Sequence, residues 1–193
     1  MNTQVQAKPD TSVRAPRAVV KGKRIPYGDP VYFRTMDFYN EEARMLDEGR
    51  FDDWFELLEP DLFYFMAHRR TLDRGSNEFD IGSYWYYENI DCLNVRVKKY
   101  TLAKSYFAED PPSRVRRFIS TVTLFESATP DELIGQTSLL LLSNRQDQDR
   151  FAILSCLRED VLRPNESHGF HIAQRDIRLD QSTLGLPTIS FLL

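Results

Sequence analysis

The chain has 193 residues, of which 41% are apolar, 12% aromatic and 28% charged, with a net charge of −4. That length suits one domain with a sizeable core, and the composition excludes a disordered or low-complexity chain. An acidic balance without a long basic run gives no electrostatic reason to expect nucleic acid or an anionic membrane as a partner.

Two cysteines, Cys92 and Cys156, are too few for a disulfide framework, and their apolar or strand-like neighbours suit small buried side chains. No apolar run reaches the length of a membrane span. Met1 to Pro16 lacks the apolar core of a secretory signal, so a reducing cytoplasm is the expected compartment.

Residues 1–28 carry Lys, Arg, Pro, Ser and Thr without periodicity and read as an arm, either loose or ordered on a partner. Residues 29–193 read as one domain. Asp29-Pro30 is a helix start, a carboxylate cap followed by proline at the first helical position. Tyr32, Met36, Tyr39, Ala43 and Leu46 then make one apolar stripe, and Gly49 supplies the left-handed stop. A short second helix is expected over Asp52–Leu58, ended by Pro60. Leu62 to His68 is aromatic and alternates poorly, which fits a strand covered on both faces. Arg69 to Trp85, with Gly75, Asn77 and Gly82, reads as a long loop. Asn89 or Asp91 caps a third helix that buries Leu93, Val97 and Tyr100.

Pro111-Pro112 forbid a helix, and the run opening at Ser113 is rich in β-branched residues. A cationic corner of Arg114, Arg116 and Arg117 therefore leads into a strand reaching Glu126. Three more strands follow over Leu133–Ser143, Phe151–Asp160 and Phe170–Leu179. Helices first and a meander afterwards indicate α+β, with a strongly bent antiparallel sheet wrapping the helices. Arginine is the cation suited to bidentate carboxylate contacts, so the Arg114, Arg116 and Arg117 group is expected at a subunit interface. The run ending in Phe191, Leu192 and Leu193 is apolar and is expected to pack on its own sheet or on a neighbour. Burial would stabilise it by about 1.5–3 kcal/mol per large side chain.

Four ordered stretches also carry a resemblance. They are Glu109-Asp110-Pro111-Pro112-Ser113-Arg114 with Arg116; Glu42 to Asp47 with Phe51 and Trp54; Arg158 to Arg163; and Ile172 to Ile177 with Leu179-Asp180. Together they resemble the small (β) subunits of aromatic-ring-hydroxylating dioxygenases, from about Asp29 to the end of the sequence. The longer arm and Ala103–Phe107, where the family more often has tryptophan, depart from the pattern. The resemblance implies a cone-shaped half-barrel of the nuclear-transport-factor or cystatin-like type. It also implies a non-catalytic subunit, in a hexamer of three large and three small chains. The large subunit would carry a Rieske [2Fe-2S] cluster and a mononuclear Fe(II), and the whole enzyme would make a cis-dihydrodiol with electrons from NADH.

No cofactor is expected in this chain. A Rieske centre takes two Cys and two His, and neither Cys92 nor Cys156 has a histidine close by. His168, His171 and Asp176 are the only candidates for a mononuclear iron, but residues three apart on a strand point to opposite faces. The alternative is a stand-alone cone enzyme, an isomerase, dehydratase or hydrolase, using His68 with Asp73 or Asp91 as an acid–base pair.

Overall fold

A computed structural model of the chain describes residues 17–101, 112–185 and 191–193, the side chains at positions 80 and 81 excepted. In chain order the elements are β1 (Lys21–Ile25), α1 (Pro30–Asp47), α2 (Phe51–Phe55), β2 (Leu58–Arg69), β3 (Phe79–Glu88), α3 (Ile90–Thr101), β4 (Arg114–Ser127), β5 (Leu133–Asn144), β6 (Ala152–Asn165) and β7 (Gly169–Leu179). The strands form one sheet in the order β1-β4-β5-β6-β7-β2-β3. Neighbours run antiparallel except β2 and β7, which are parallel.

α1 packs against both β4 and β7. In a flat sheet those strands would lie about 14 Å apart, three inter-strand spacings. The sheet therefore curls around α1, which gives the expected α+β cone. Asp29 accepts a hydrogen bond from the Val31 amide at 2.9 Å and Pro30 opens the helix. Gly49 sits at φ 73°, and the Arg50 amide donates to the Met45 carbonyl at 2.8 Å, closing the helix in a left-handed cap. In α3, Asn89 is the cap, accepting from the Cys92 amide at 3.0 Å, and Leu93 and Val97 are buried.

Several local expectations change. The stripe of α1 buries Tyr32, Tyr39 and Leu46, but its other buried members are Thr35, Phe38, Glu42 and Met45; Met36 and Ala43 are half-buried. Leu58 belongs to β2 and not to α2, and Pro60 lies inside that strand. The β2–β7 ladder is irregular between Leu58 and Phe63, so Pro60 falls where no ladder amide is needed. The expected loop from Arg69 to Trp85 contains most of an edge strand, β3, which forms a hairpin with β2. Its Phe79 and Tyr87 cover Phe63, Phe65 and Ala67 on the outer face of β2. The doubly covered strand over Leu62–His68 is thereby explained. Lys21–Ile25, counted within the arm, pairs with β4. Arg17 exchanges two hydrogen bonds with the Gln174 side chain and meets Glu132 at 3.1 Å, while Lys21 lies 2.6 Å from Glu159.

Candidate functional site: the interior of the cone

A strand of period two and a helix of period near 3.6 bring charged residues into the cone. On α1, Glu42 follows Tyr39 by three positions and precedes Leu46 by four, so it shares their buried face. On β6, Arg158 and Asp160 are two apart and point inward together. Across the ladder Asp160 faces Arg175 of β7, and Arg158 faces Ile177. All four charged side chains are fully shielded from water.

Arg175 grips Asp160 with both tines of its fork, Nε to Oδ1 and Nη2 to Oδ2, each at 2.8 Å. Its Nη1 donates to Glu42 Oε1 and, at 3.1 Å, to the Leu193 carbonyl. Trp54 Nε1 donates to the same Glu42 oxygen at 3.2 Å. Arg158 Nη2 lies 3.3 Å from Glu42 Oε2, its Nε donates to Thr137 Oγ1 at 3.2 Å, and its guanidinium stands over the Tyr39 ring. Two side-chain carboxylates thus meet two guanidiniums. Nearer the mouth, Arg117 of β4, only 1% exposed, meets Asp47 at 2.7 Å and donates to the Leu192 carbonyl at 2.6 Å. Phe191, Leu192 and Leu193 are buried in the core that the cone encloses.

Burial by itself raises the Glu42 carboxyl, but Arg175 and Arg158, with hydrogen bonds from Arg175 and Trp54, outweigh it and bring the group down to about 2. Burial pushes the Tyr39 and Tyr64 hydroxyls up. An ionised, doubly paired carboxylate beside protonated phenols has no member among these three poised near neutral pH for proton transfer.

The residues expected from the sequence fall elsewhere. His68 Nδ1 is 2.9 Å from Ser83 Oγ and its ring lies 4.3 Å from that of Trp85. Asp73 is exposed in the β2–β3 loop and Asp91 is exposed in the first turn of α3. His168 sits in the β6–β7 turn, His171 lies 3.3 Å from Glu59, and Asp176 pairs with Arg178 at 2.7 Å. Cys92 is exposed on α3 whereas Cys156 is buried in β6.

Of the three arginines and the apolar tail residues Phe191 and Leu193 expected to meet a neighbouring subunit, Arg117, Phe191 and Leu193 are buried within the chain itself. Arg114 and Arg116 do reach the surface. Arg114 donates to Asn144 Oδ1 at 3.1 Å, and Arg116, 69% exposed, lies 3.5 Å from Asp47. They share the outer face of the sheet with Phe118, which lies opposite Leu140; Ile153 is two ladder pairs away, and all three apolar side chains are exposed. Sequence reasoning quoted Glu42, Arg158, Asp160 and Arg175 only as parts of motifs. The signals that would have placed them inward were the helical spacing from Tyr39 to Leu46 and the two-residue spacing of Arg158 and Asp160. Glu109 to Pro111 of the first motif and Ala103–Phe107 lie outside the described residues.

A curled sheet wrapped around one buried face of a helix, with a hairpin at its open edge, defines an α+β cone of the nuclear-transport-factor type. Residues 41–185 match the family model for the ring-hydroxylating β subunit. The chain belongs to that family. It is 31% identical over 182 residues to the biphenyl 2,3-dioxygenase subunit β of Rhodococcus jostii (strain RHA1), covering 92% of this chain and 96% of the relative. Among solved structures it is similar to naphthalene 1,2-dioxygenase with indole bound in the active site, with a TM-score of 0.72 and 20% identity over 82% of this chain and 83% of that one. It is also similar to the β subunit of benzoate 1,2-dioxygenase from Burkholderia mallei, with a TM-score of 0.64 and 22% identity over 85% and 97% of the two chains.

Proposed function

We propose that this chain is the structural, non-catalytic small subunit of the terminal oxygenase component of an aromatic-ring-hydroxylating dioxygenase. The observation that carries the reading is the family match across residues 41–185. In this reading the large subunit holds the Rieske [2Fe-2S] cluster and the mononuclear Fe(II), and three large and three small chains assemble in the cytoplasm. The whole enzyme adds both atoms of oxygen to an aromatic ring, with electrons from NADH through separate redox proteins. The mutual pairing of Glu42, Asp160, Arg158 and Arg175 inside the cone supports a role in assembly.

Arg114, Arg116 and the neighbouring Phe118, Leu140 and Ile153 form the surface assigned to a carboxylate-bearing partner subunit. Removing an arginine from a buried charged contact commonly costs about 2–5 kcal/mol. An exposed pair gives only about 0–1 kcal/mol. Arg114→Ala or Arg116→Ala should therefore weaken assembly by about tenfold or more while leaving the isolated chain's melting temperature nearly unchanged. Co-expression with the large subunit and analytical ultracentrifugation read the first effect, and calorimetry reads the second. A small chain that stays monomeric beside its partner at physiological salt would contradict the proposal. Unaltered assembly of both variants would remove this surface from it.

A further inference from the structure

Two backbone oxygens, of Leu192 and Leu193, accept buried hydrogen bonds inside the cone. The Tyr64 hydroxyl donates to the Leu193 carbonyl at 2.6 Å and accepts from the Leu193 amide at 3.1 Å. Arg175 Nη1 donates to the same carbonyl at 3.1 Å, and Arg117 Nη2 donates to the Leu192 carbonyl at 2.6 Å. The residues carrying these oxygens are apolar and wholly buried, Leu192 and Leu193 at 0% and Phe191 at 4% exposure. Three donors, two of them fixed cations, thus converge on two acceptors presented by a greasy segment. Each donor is also held in place independently of that segment. Arg175 is anchored by Asp160 and Glu42, Arg117 by Asp47, and the Tyr64 ring packs 5.8 Å from that of Tyr86.

We propose that the interior of the cone is a binding site for an apolar ligand bearing a carbonyl or carboxylate oxygen, and that Phe191–Leu193 is its resident, displaceable occupant. A preorganised site loses little on binding, because its donors need no reordering. Left without an acceptor, buried donors carry a desolvation penalty, so a vacated cone selects for an oxygen in that place. A carboxylate would gain further from charge-assisted contacts to Arg175 and Arg117. Trp54 reports on the site, since its indole shares the Glu42 Oε1 acceptor with Arg175.

The test begins with the chain shortened by Phe191–Leu193 and titrated with the peptide acetyl-Ser-Phe-Leu-Leu, followed by calorimetry and indole fluorescence. Saturable one-to-one binding that restores the melting temperature is expected. Adding Tyr64→Phe should weaken that binding by about tenfold or more, through loss of the two hydrogen bonds the hydroxyl exchanges with Leu193. A folded shortened chain that does not bind the peptide would overturn the proposal. Should the shortened chain fail to fold, Tyr64→Phe in the full chain decides through hydrogen exchange. The Leu192 and Leu193 amides should then exchange about tenfold faster or more, with β5 and β6 amides unchanged. Unaltered exchange at the tail would equally overturn it.

Discussion

Replacing Glu42 by Gln keeps the side chain's shape and removes one negative charge from a cluster that water does not reach. Arg158 would then lose the one carboxylate it meets among the described residues, and Arg175 would keep only Asp160. Breaking a buried pair by removing one partner costs about 3–5 kcal/mol. At about 2–4 °C per kcal/mol for a chain of this size, the melting temperature should fall by about 6–20 °C. The pH dependence gives a second route to the magnitude. The Glu42 carboxyl drops from 4.5 to about 2 on folding, which at about 1.4 kcal/mol per pH unit amounts to about 3 kcal/mol. Because the folded value is the lower one, this stability is fully present above pH 4.5 and is lost as pH falls towards 2. The gap between wild type and Glu42→Gln should therefore close over that interval. Glu41→Gln is the control, since Glu41 is 39% exposed and pairs with Arg44 and Arg50 at the surface. It should lose no more than about 1 kcal/mol. Urea titrations at pH 7 and along the acid limb measure both variants. Equal losses for the two, or a Glu42→Gln deficit that persists unchanged at pH 2, would refute the reasoning.

Three further outcomes follow from other contacts. A Cβ on Gly135 would lie 2.2 Å from the Tyr39 hydroxyl, which has no hydrogen-bond partner among the described residues; Gly135→Ala should destabilise by about 1–3 kcal/mol in denaturant titrations. Adding Tyr39→Phe should return much of that loss, and additive losses would show that the hydroxyl is not the obstacle. Arg117→Ala should lower the isolated chain's stability by about 3 kcal/mol, because the buried Asp47 carboxylate keeps only the exposed Arg116 and the residue-117 amide as partners, and a melting temperature equal to that of Arg116→Ala would contradict the inward placement. With iodoacetamide at pH 8, Cys92 should be alkylated in the native protein. Cys156, its thiol pushed by burial to about 12, should react only after unfolding, as mass spectrometry of the two peptides will show.

The sequence by itself determined what local rules control. Asp29, Pro30 and Gly49 set the ends of α1, and β-branched runs between turn residues announced β4 to β7. Ordered motifs pointed to the family. Those signals act within one helical turn or between alternate residues, so one chain segment suffices to read them. The edge strand β3 escaped because its hydrophobic pattern makes sense only against Phe63 and Phe65 of β2, and Pro60 became legible only when the β2–β7 ladder showed a gap around it. The inward turn of Arg117 and the burial of Phe191 to Leu193 likewise depend on where α1 lies. Above all, the pairing of Glu42 with Arg175 joins positions 133 residues apart. A carboxylate on a helix face is ordinarily read as solvated. Only the curl of the sheet, which brings β6 and β7 around α1, supplies the two guanidiniums that make its burial affordable in electrostatic terms.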